Sequence, residues 1–174
     1  MLSTNDIFLR PAEPEDVSWF YIWENDSEQW NTTTLTTPVG KSVLTDLIYH
    51  SKNDIFIDRQ LRLVIAEKNN KQPVGTVDFF EFEPNAMRSG IGIYIDSSHR
   101  RKGYATQAIR LAKTLAFSQL HLHQLVAHVG LTNTISLKLF KSLGFVSSGI
   151  LKDWIKINQN HYESVSVLQC LYTD

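Results

Sequence analysis

At 174 residues, with 43% hydrophobic and 20% charged residues, the chain has the make-up of one globular domain covering residues 1–174. A formal net charge of −1 supplies no field to hold a nucleic acid, and the one basic run, Arg100-Arg101-Lys102, suits a small phosphate ligand better than a duplex. One cysteine, Cys170, excludes an internal disulfide; with no basic-then-apolar leader and no apolar run of spanning length, the expectation is a cytoplasmic protein without a membrane partner.

Residues 6–10 read as a short strand. Pro14 suits a first helical turn, with Glu15 and Asp16 placed to favour a helix N-terminus, and Val17, Phe20 and Tyr21 give that helix an apolar side. A second helix is expected around 42–50, with Val43, Leu44, Leu47 and Ile48 at helical spacing. Strands follow at 61–67, 73–82 and 90–96, separated by the Lys68-Asn69-Asn70-Lys71 and Pro84-Asn85 turns. The clearest helix is 104–120, striped by Ala105, Ala108, Ile109, Ala112, Leu115, Ala116 and Leu120. A strand at 124–129, a helix at 134–142 closed by Gly144, and strands at 145–157 and 161–172 complete an α/β (α+β) order.

Between the strand at 90–96 and the long helix lies Ser97-Ser98-His99-Arg100-Arg101-Lys102-Gly103-Tyr104-Ala105-Thr106. Amides at a helix start lack intrahelical partners, and the helix dipole adds positive potential there. Gly103 permits close backbone approach and Ala105 keeps the first turn uncrowded, so the loop reads as a diphosphate cradle; the plainer reading is a turn carrying a solvated basic patch.

Arg100-x-x-Gly103-x-Ala105 resembles the acetyl-CoA loop of the GNAT acetyltransferases. Asn133-x-x-Ser136-x-x-Leu139-Phe140-x-x-x-Gly144-Phe145 is similar to that family's second signature, at a matching interval. Leu9-Arg10-Pro11 with Glu15-Asp16 resembles the opening of the branch holding spermidine N-acetyltransferases and ribosomal-protein-alanine acetyltransferases. The resemblance implies a central mixed, mostly antiparallel sheet, flanked by helices and splayed between its fourth and fifth strands, with the pantetheine arm of acetyl-CoA in the opening. It also implies that main-chain groups of Ile93, Tyr94 and Ile95 bond the pantetheine, and that Arg100, Arg101, Lys102, Gly103, Tyr104, Ala105 and Thr106 hold the diphosphate. Asn133 and Ser136 would meet the rest of the coenzyme.

The chain departs from its relatives at two places. Many carry a tyrosine at the position of Phe140 as the acid for the leaving thiolate; Ser136 and Tyr94 are the substitutes, against plainer readings as a helix-surface hydroxyl and a packed strand aromatic. Some carry a glutamate at the position of Gly90; Asp78 and Glu81 match acidic positions of the spermidine enzymes, with Glu81 preferred as the catalytic or substrate-binding group. Being three apart on a strand, they are expected on opposite faces.

The expected acceptor wall, the first helix and the loop after it, carries Trp19, Tyr21, Trp23, Glu24, Asp26, Glu28 and Trp30; Trp23 and Glu24, with Asp78 and Glu81, are the substrate candidates for a cationic amine. The absence of acidic residues across 31–45 argues against a regulatory polyamine site there. His121, His123 and His128 have poor spacing for a shared metal, so no metal is expected. Three functions follow: an acetyltransferase for a small cationic amine, one for protein N-termini, or a coenzyme A-binding module without turnover. A homo-oligomer is left open.

Overall fold

The structure, a computed structural model, describes residues 2–26 and 37–173. Its elements are β1 (Ile7–Pro11), a 3-10 turn at Pro14–Asp16, α1 (Val17–Glu24), α2 (Lys41–His50), α3 (Ile55–Asp58), β2 (Leu61–Glu67), β3 (Pro73–Glu83) and β4 (Arg88–Ile95). A 3-10 turn at Ser97–His99 leads to α4 (Tyr104–Thr114), which widens into a π turn at Leu115–Gln119; β5 (Gln124–Gly130), α5 (Thr134–Ser142), β6 (Val146–Asn158) and β7 (His161–Leu171) follow. The seven strands form one sheet in the order β1-β2-β3-β4-β5-β7-β6, antiparallel except between β4 and β5.

The two faces of the sheet bury different cores. Odd positions of β4 (Ile91, Ile93, Ile95) join Leu63, Ile65, Val77 and Phe79 against the alanine-rich stripe of α4 and against Leu137 and Phe140 of α5. On the other face, Val64 and Tyr94 pack with Phe20 and Trp23 of α1 and Leu44 and Ile48 of α2. β2 is covered on both sides, which explains why Val64 and Ala66 are as buried as Leu63 and Ile65. Each fully buried apolar side chain of this kind contributes roughly 1.5–3 kcal/mol of transfer free energy.

Local chemistry sets the element ends. Asp16 is buried and accepts from Arg10 Nη1 and Nη2 at 2.6 and 2.8 Å and from the Glu13 amide at 2.8 Å, which fixes the entry to α1. Asn133 caps α5 by accepting from the Ser136 amide at 3.0 Å. Gly144, at φ +88°, ends that helix in the left-handed region while the Phe145 amide returns to the Phe140 carbonyl.

Several expectations need adjusting. The apolar side of α1 is Phe20 with Trp23; Tyr21 is exposed beneath the Lys41 ammonium. On α2, Leu44 and Ile48 are buried but Val43 and Leu47 are exposed. The helix expected to run to 120 leaves α geometry after Thr114, because the π turn widens its hydrogen bonding without breaking the apolar stripe. Helix α3 was not expected at all.

Candidate active site

β4 and β5 pair at only three positions, Arg88↔Gln124, Ser89↔Leu125 and Gly90↔Val126, and then diverge. The result is a wedge with one wall formed by Ile91–Ile95 and the other by Ala127–Gly130. Main-chain groups alternate between the edges of a strand. The Met87 carbonyl accepts from the His123 and Gln124 amides on the β5 side, whereas the Asp96 amide donates to the Val74 carbonyl on the β3 side. Counting between these points, Ile91, Ile93 and Ile95 turn their peptide groups into the wedge, and Gly92 and Tyr94 turn theirs to β3. Among the described residues, the wedge therefore offers the Ile93 peptide groups and the Ile95 amide as an unpaired strand edge, the Ile95 carbonyl being taken by Arg100. Tyr94, expected with them, spends its peptide groups on Thr76, its antiparallel partner.

At the open end of β4, the Asp96 carboxylate accepts from the Ser98 amide at 3.0 Å and from Trp23 Nε1 at 3.0 Å, tying the loop to α1. Gly103 sits at φ +78° as the residue preceding α4, and a Cβ built there meets nothing within 4 Å among the described residues. Open space and free helix-start amides fit a diphosphate. Around it, Arg100 Nε donates to the Ile95 carbonyl at 3.1 Å, while Arg101, Lys102 and Gly103 are exposed and Ala105 and Thr106 half-buried. Tyr104 spends its hydroxyl on β2: it donates to Glu67 Oε1 at 2.7 Å, with Lys102 Nζ 3.7 Å from the same oxygen. That bond raises the Tyr104 phenol to about 12, and it holds the Glu67 carboxyl below its ordinary range. Asn133 and Ser136 lie at the start of α5, with the Asn133 carbonyl engaged on its own helix.

The face toward α1 carries the remaining candidates. Arg62 Nε donates to Asp78 Oδ1 at 2.5 Å and Arg62 Nη1 to Glu24 Oε1 at 2.6 Å, and Thr76 Oγ1 donates to Asp78 Oδ2 at 3.1 Å. The two carboxylates expected to meet a cation therefore already share one. Burial works against the Arg62 charge, but Asp78 and Glu24 outweigh it and raise its pKa. Trp23 is buried, with Trp19 at 6.0 Å and Tyr94 at 5.6 Å between ring centroids, so it walls the site from behind. Burial, with Asp96 adding to it, pushes the Tyr94 phenol up to about 12. Such a phenol stays protonated at neutral pH but gives its proton up with difficulty.

Glu81 stands exposed at φ +49°, where β3 bulges between Phe80 and Glu83. Phe79 and Phe82, also three apart, share one core, so the alternation slips across the bulge and Asp78 and Glu81 are not forced onto opposite faces. A Cβ on Gly90 would lie 2.4 Å from Phe80 Cε2: the Phe80 ring fills the place where some relatives carry glutamate. Phe140 is buried and meets Phe145 edge-on at 5.0 Å. Glu28 and Trp30 lie outside the described residues, as do positions 31–36 of the acid-free segment. Two contributors escaped sequence reading. Arg62 looks like an ordinary outward strand residue, and Trp154 is carried by a β6 irregularity that lays its ring 6.5 Å from His128.

A family model described as an acetyltransferase (GNAT) domain matches residues 6–146. The chain belongs to the GNAT family. This acetyltransferase is 30% identical over 156 residues to the uncharacterized N-acetyltransferase p20 of Bacillus licheniformis, covering 89% of this chain and 87% of that protein. It is 25% identical to the spermidine N(1)-acetyltransferase of Escherichia coli K12, over 99% of this chain and 89% of that one. Spermidine N-acetyltransferase from Vibrio cholerae, solved in complex with CoA and spermine, superposes with a TM-score of 0.84 at 24% identity, covering 97% and 96% of the two chains. Another structure of that enzyme is described as dodecameric, with a TM-score of 0.81 at 24% identity over 97% and 95% of the chains. The splayed sheet expected of a GNAT protein is present, and as a GNAT N-acetyltransferase the protein takes its acetyl group from acetyl-CoA. Among the described residues, no helix is long and apolar enough to cross a membrane, and no three His, Cys, Asp or Glu side chains gather as for a metal.

Proposed function

We propose that the protein acetylates the primary amine of a small cationic molecule. The observation that carries this reading is the Glu24–Arg62–Asp78 cluster beside the wedge, two carboxylates to one guanidinium, backed by Trp19 and Trp23. Counted over the described partners, the cluster holds two carboxylates to one guanidinium, a polar setting that suits an ammonium while Arg62 holds the carboxylates in place. The spermidine enzymes among the relatives fit the same reading.

Acetyl-CoA supplies a thioester whose carbonyl carbon the amine attacks. Ile93 and Ile95 bind its pantetheine arm as an added strand, and an amide of that edge faces the oxygen on which charge develops. The amides at the start of α4, with Arg100, Arg101 and Lys102, bind the diphosphate, and Asn133 and Ser136 border the coenzyme from α5. Ser136 is the hydroxyl assigned to support the leaving thiolate, in place of the tyrosine that Phe140 replaces. Holding amine and thioester in one geometry provides much of the acceleration. Homo-oligomerisation belongs to the same reading: edge strand β6 leaves Val146, Ile150 and Trp154 exposed, and the Vibrio cholerae enzyme assembles as a dodecamer.

The test is a thiol-release screen with acetyl-CoA against polyamines, aminoglycosides, amino acids and short peptides. Release with small cationic amines is expected. Release confined to peptides would replace the reading with a protein N-terminal acetyltransferase, and tight acetyl-CoA binding without release would replace it with a binding module.

A further inference from the structure

An alkylammonium cannot attack a thioester until it has lost a proton, so an amine acceptor calls for a base beside the wedge. Several groups on the acceptor face are already engaged or hard to ionise. Asp78 and Glu24 are held by Arg62. Tyr94 is a half-buried phenol that stays protonated at neutral pH. Glu163 of β7 accepts from the Thr132 amide and hydroxyl at 2.8 and 2.6 Å.

The β5 wall offers a different group. Leu125, Ala127 and Val129 point into the core shared with α4, so Val126, His128 and Gly130 occupy the face turned toward α1. Gly90, Gly92 and Tyr94 of β4 share that face. Pairing stops at Gly90↔Val126, and two residues further along Gly92 and His128 stand opposite each other across the opening. Gly92 contributes no side chain, so at this level the acceptor side is framed by the Phe80 ring and the His128 imidazole. His128 is exposed and forms no hydrogen bond or ion pair among the described residues; its flanking contacts are Trp154, thrown across from β6, and its β7 pairing partner Val167. Among the described residues, the charged or titratable groups facing it include Glu163 on β7 and, across the wedge, Asp78, Arg62 and Tyr94 with Glu24 and Asp26 beside them.

We infer that His128 is the base that takes the proton from the acceptor amine, with Trp154 shielding it and offering a ring face to the cation. This rests on the amine-acceptor reading above. A ring nitrogen of His128 accepts one proton from the ammonium, and the freed lone pair forms the C–N bond at the thioester carbonyl. The C–S bond breaks with its electron pair on sulfur. The second proton lost from the amine nitrogen ends on the thiolate, giving amide and free thiol, and His128 returns its proton to water.

The experiment compares wild type, His128→Phe and His128→Ala in kcat/KM against pH with an accepted amine, with coenzyme A affinity measured by calorimetry on the same proteins. His128→Phe keeps a ring against Trp154 but no base; kcat is expected to fall about a hundredfold or more and the acid limb of the profile to disappear. Coenzyme A affinity stays within about twofold, far less than one tenfold step of 1.4 kcal/mol. Added imidazole partly restores His128→Ala. Unchanged kcat and pH profile in His128→Phe overturns the assignment while leaving the amine acceptor intact, as does a loss matched by equally weakened coenzyme A binding. A wild type that acetylates no amine overturns both.

Discussion

Replacing Gly103 with alanine changes one methyl group and the cost of one dihedral. At φ +78° an L residue is strained by about 1–2 kcal/mol, and among the described residues no atom lies within 4 Å of the new Cβ to add a clash. The unliganded loop is exposed and relaxes part of that strain. The melting temperature should therefore drop by no more than about 2–8 °C for a domain of this size. Binding a diphosphate requires the strained geometry, so the part relaxed in the free loop falls on affinity, at most about five- to thirtyfold in Kd for coenzyme A. Asparagine adopts the left-handed region more readily, and Gly103→Asn should lose less than Gly103→Ala despite its larger side chain. Calorimetric titration of the three proteins, with melts to verify folding, reads both quantities. Unchanged affinity in a folded Gly103→Ala protein would refute the diphosphate site. A larger loss for Asn than for Ala would refute the conformational argument in favour of simple bulk.

Arg62→Met strips the shared cation from Glu24 and Asp78; since Arg62 is 30% exposed, the expected destabilisation is about 1–3 kcal/mol by urea unfolding, below the fully buried case. Ser136→Ala should lower kcat about tenfold to a hundredfold if its hydroxyl supports the thiolate, and Phe140→Tyr should leave turnover unharmed or raise it; a kcat unchanged across a pH series in Ser136→Ala dismisses that role. Gly90→Ala drives a methyl into the Phe80 ring and should cost roughly 1–3 kcal/mol, most of it recovered in the double variant with Phe80→Ala, as a double-mutant cycle in urea unfolding will show. The depressed Glu67 carboxyl adds stability above its ordinary pKa and loses it as acid titrates the folded form, whereas the Tyr104 phenol, raised to about 12, adds stability that is lost as pH climbs from about 10 toward that value. Melting curves against pH should accordingly flatten on the acid side in Glu67→Gln and on the alkaline side in Tyr104→Phe.

Elements with a strong period or punctuation were readable from the chain. β2 is a dense apolar run that structure and sequence bound identically at 61–67, and α5 lies between the cap residue Asn133 and the left-handed Gly144. The loop before α4 stood out as a diphosphate candidate because glycine and cations adjoin a helix start. What stayed hidden depends on contacts far apart in sequence or on irregular backbone. Nothing local to Arg62 announces Glu24, 38 residues away on α1. The bulge at Glu81 contains no glycine to mark it, so simple alternation does not carry across it. The four-residue α3 is too short for a periodic signal, and the displacement of Trp154 toward His128 follows from β6 pairing that slips between Leu151 and Ile155.

The brief seam between β4 and β5 has a thermodynamic side. With only three residue pairs joining them, the strand edge at Ile93 and Ile95 exchanges its amide hydrogens with water until a pantetheine arm covers it. In the proposed binding mode acetyl-CoA bridges the gap as well as reacting in it, so each bound molecule would add cohesion between the β1–β4 half of the sheet and the β5–β7 half. Resistance of this protein to unfolding or proteolysis should consequently track its supply of coenzyme, with protection spreading outward from the wedge into both halves.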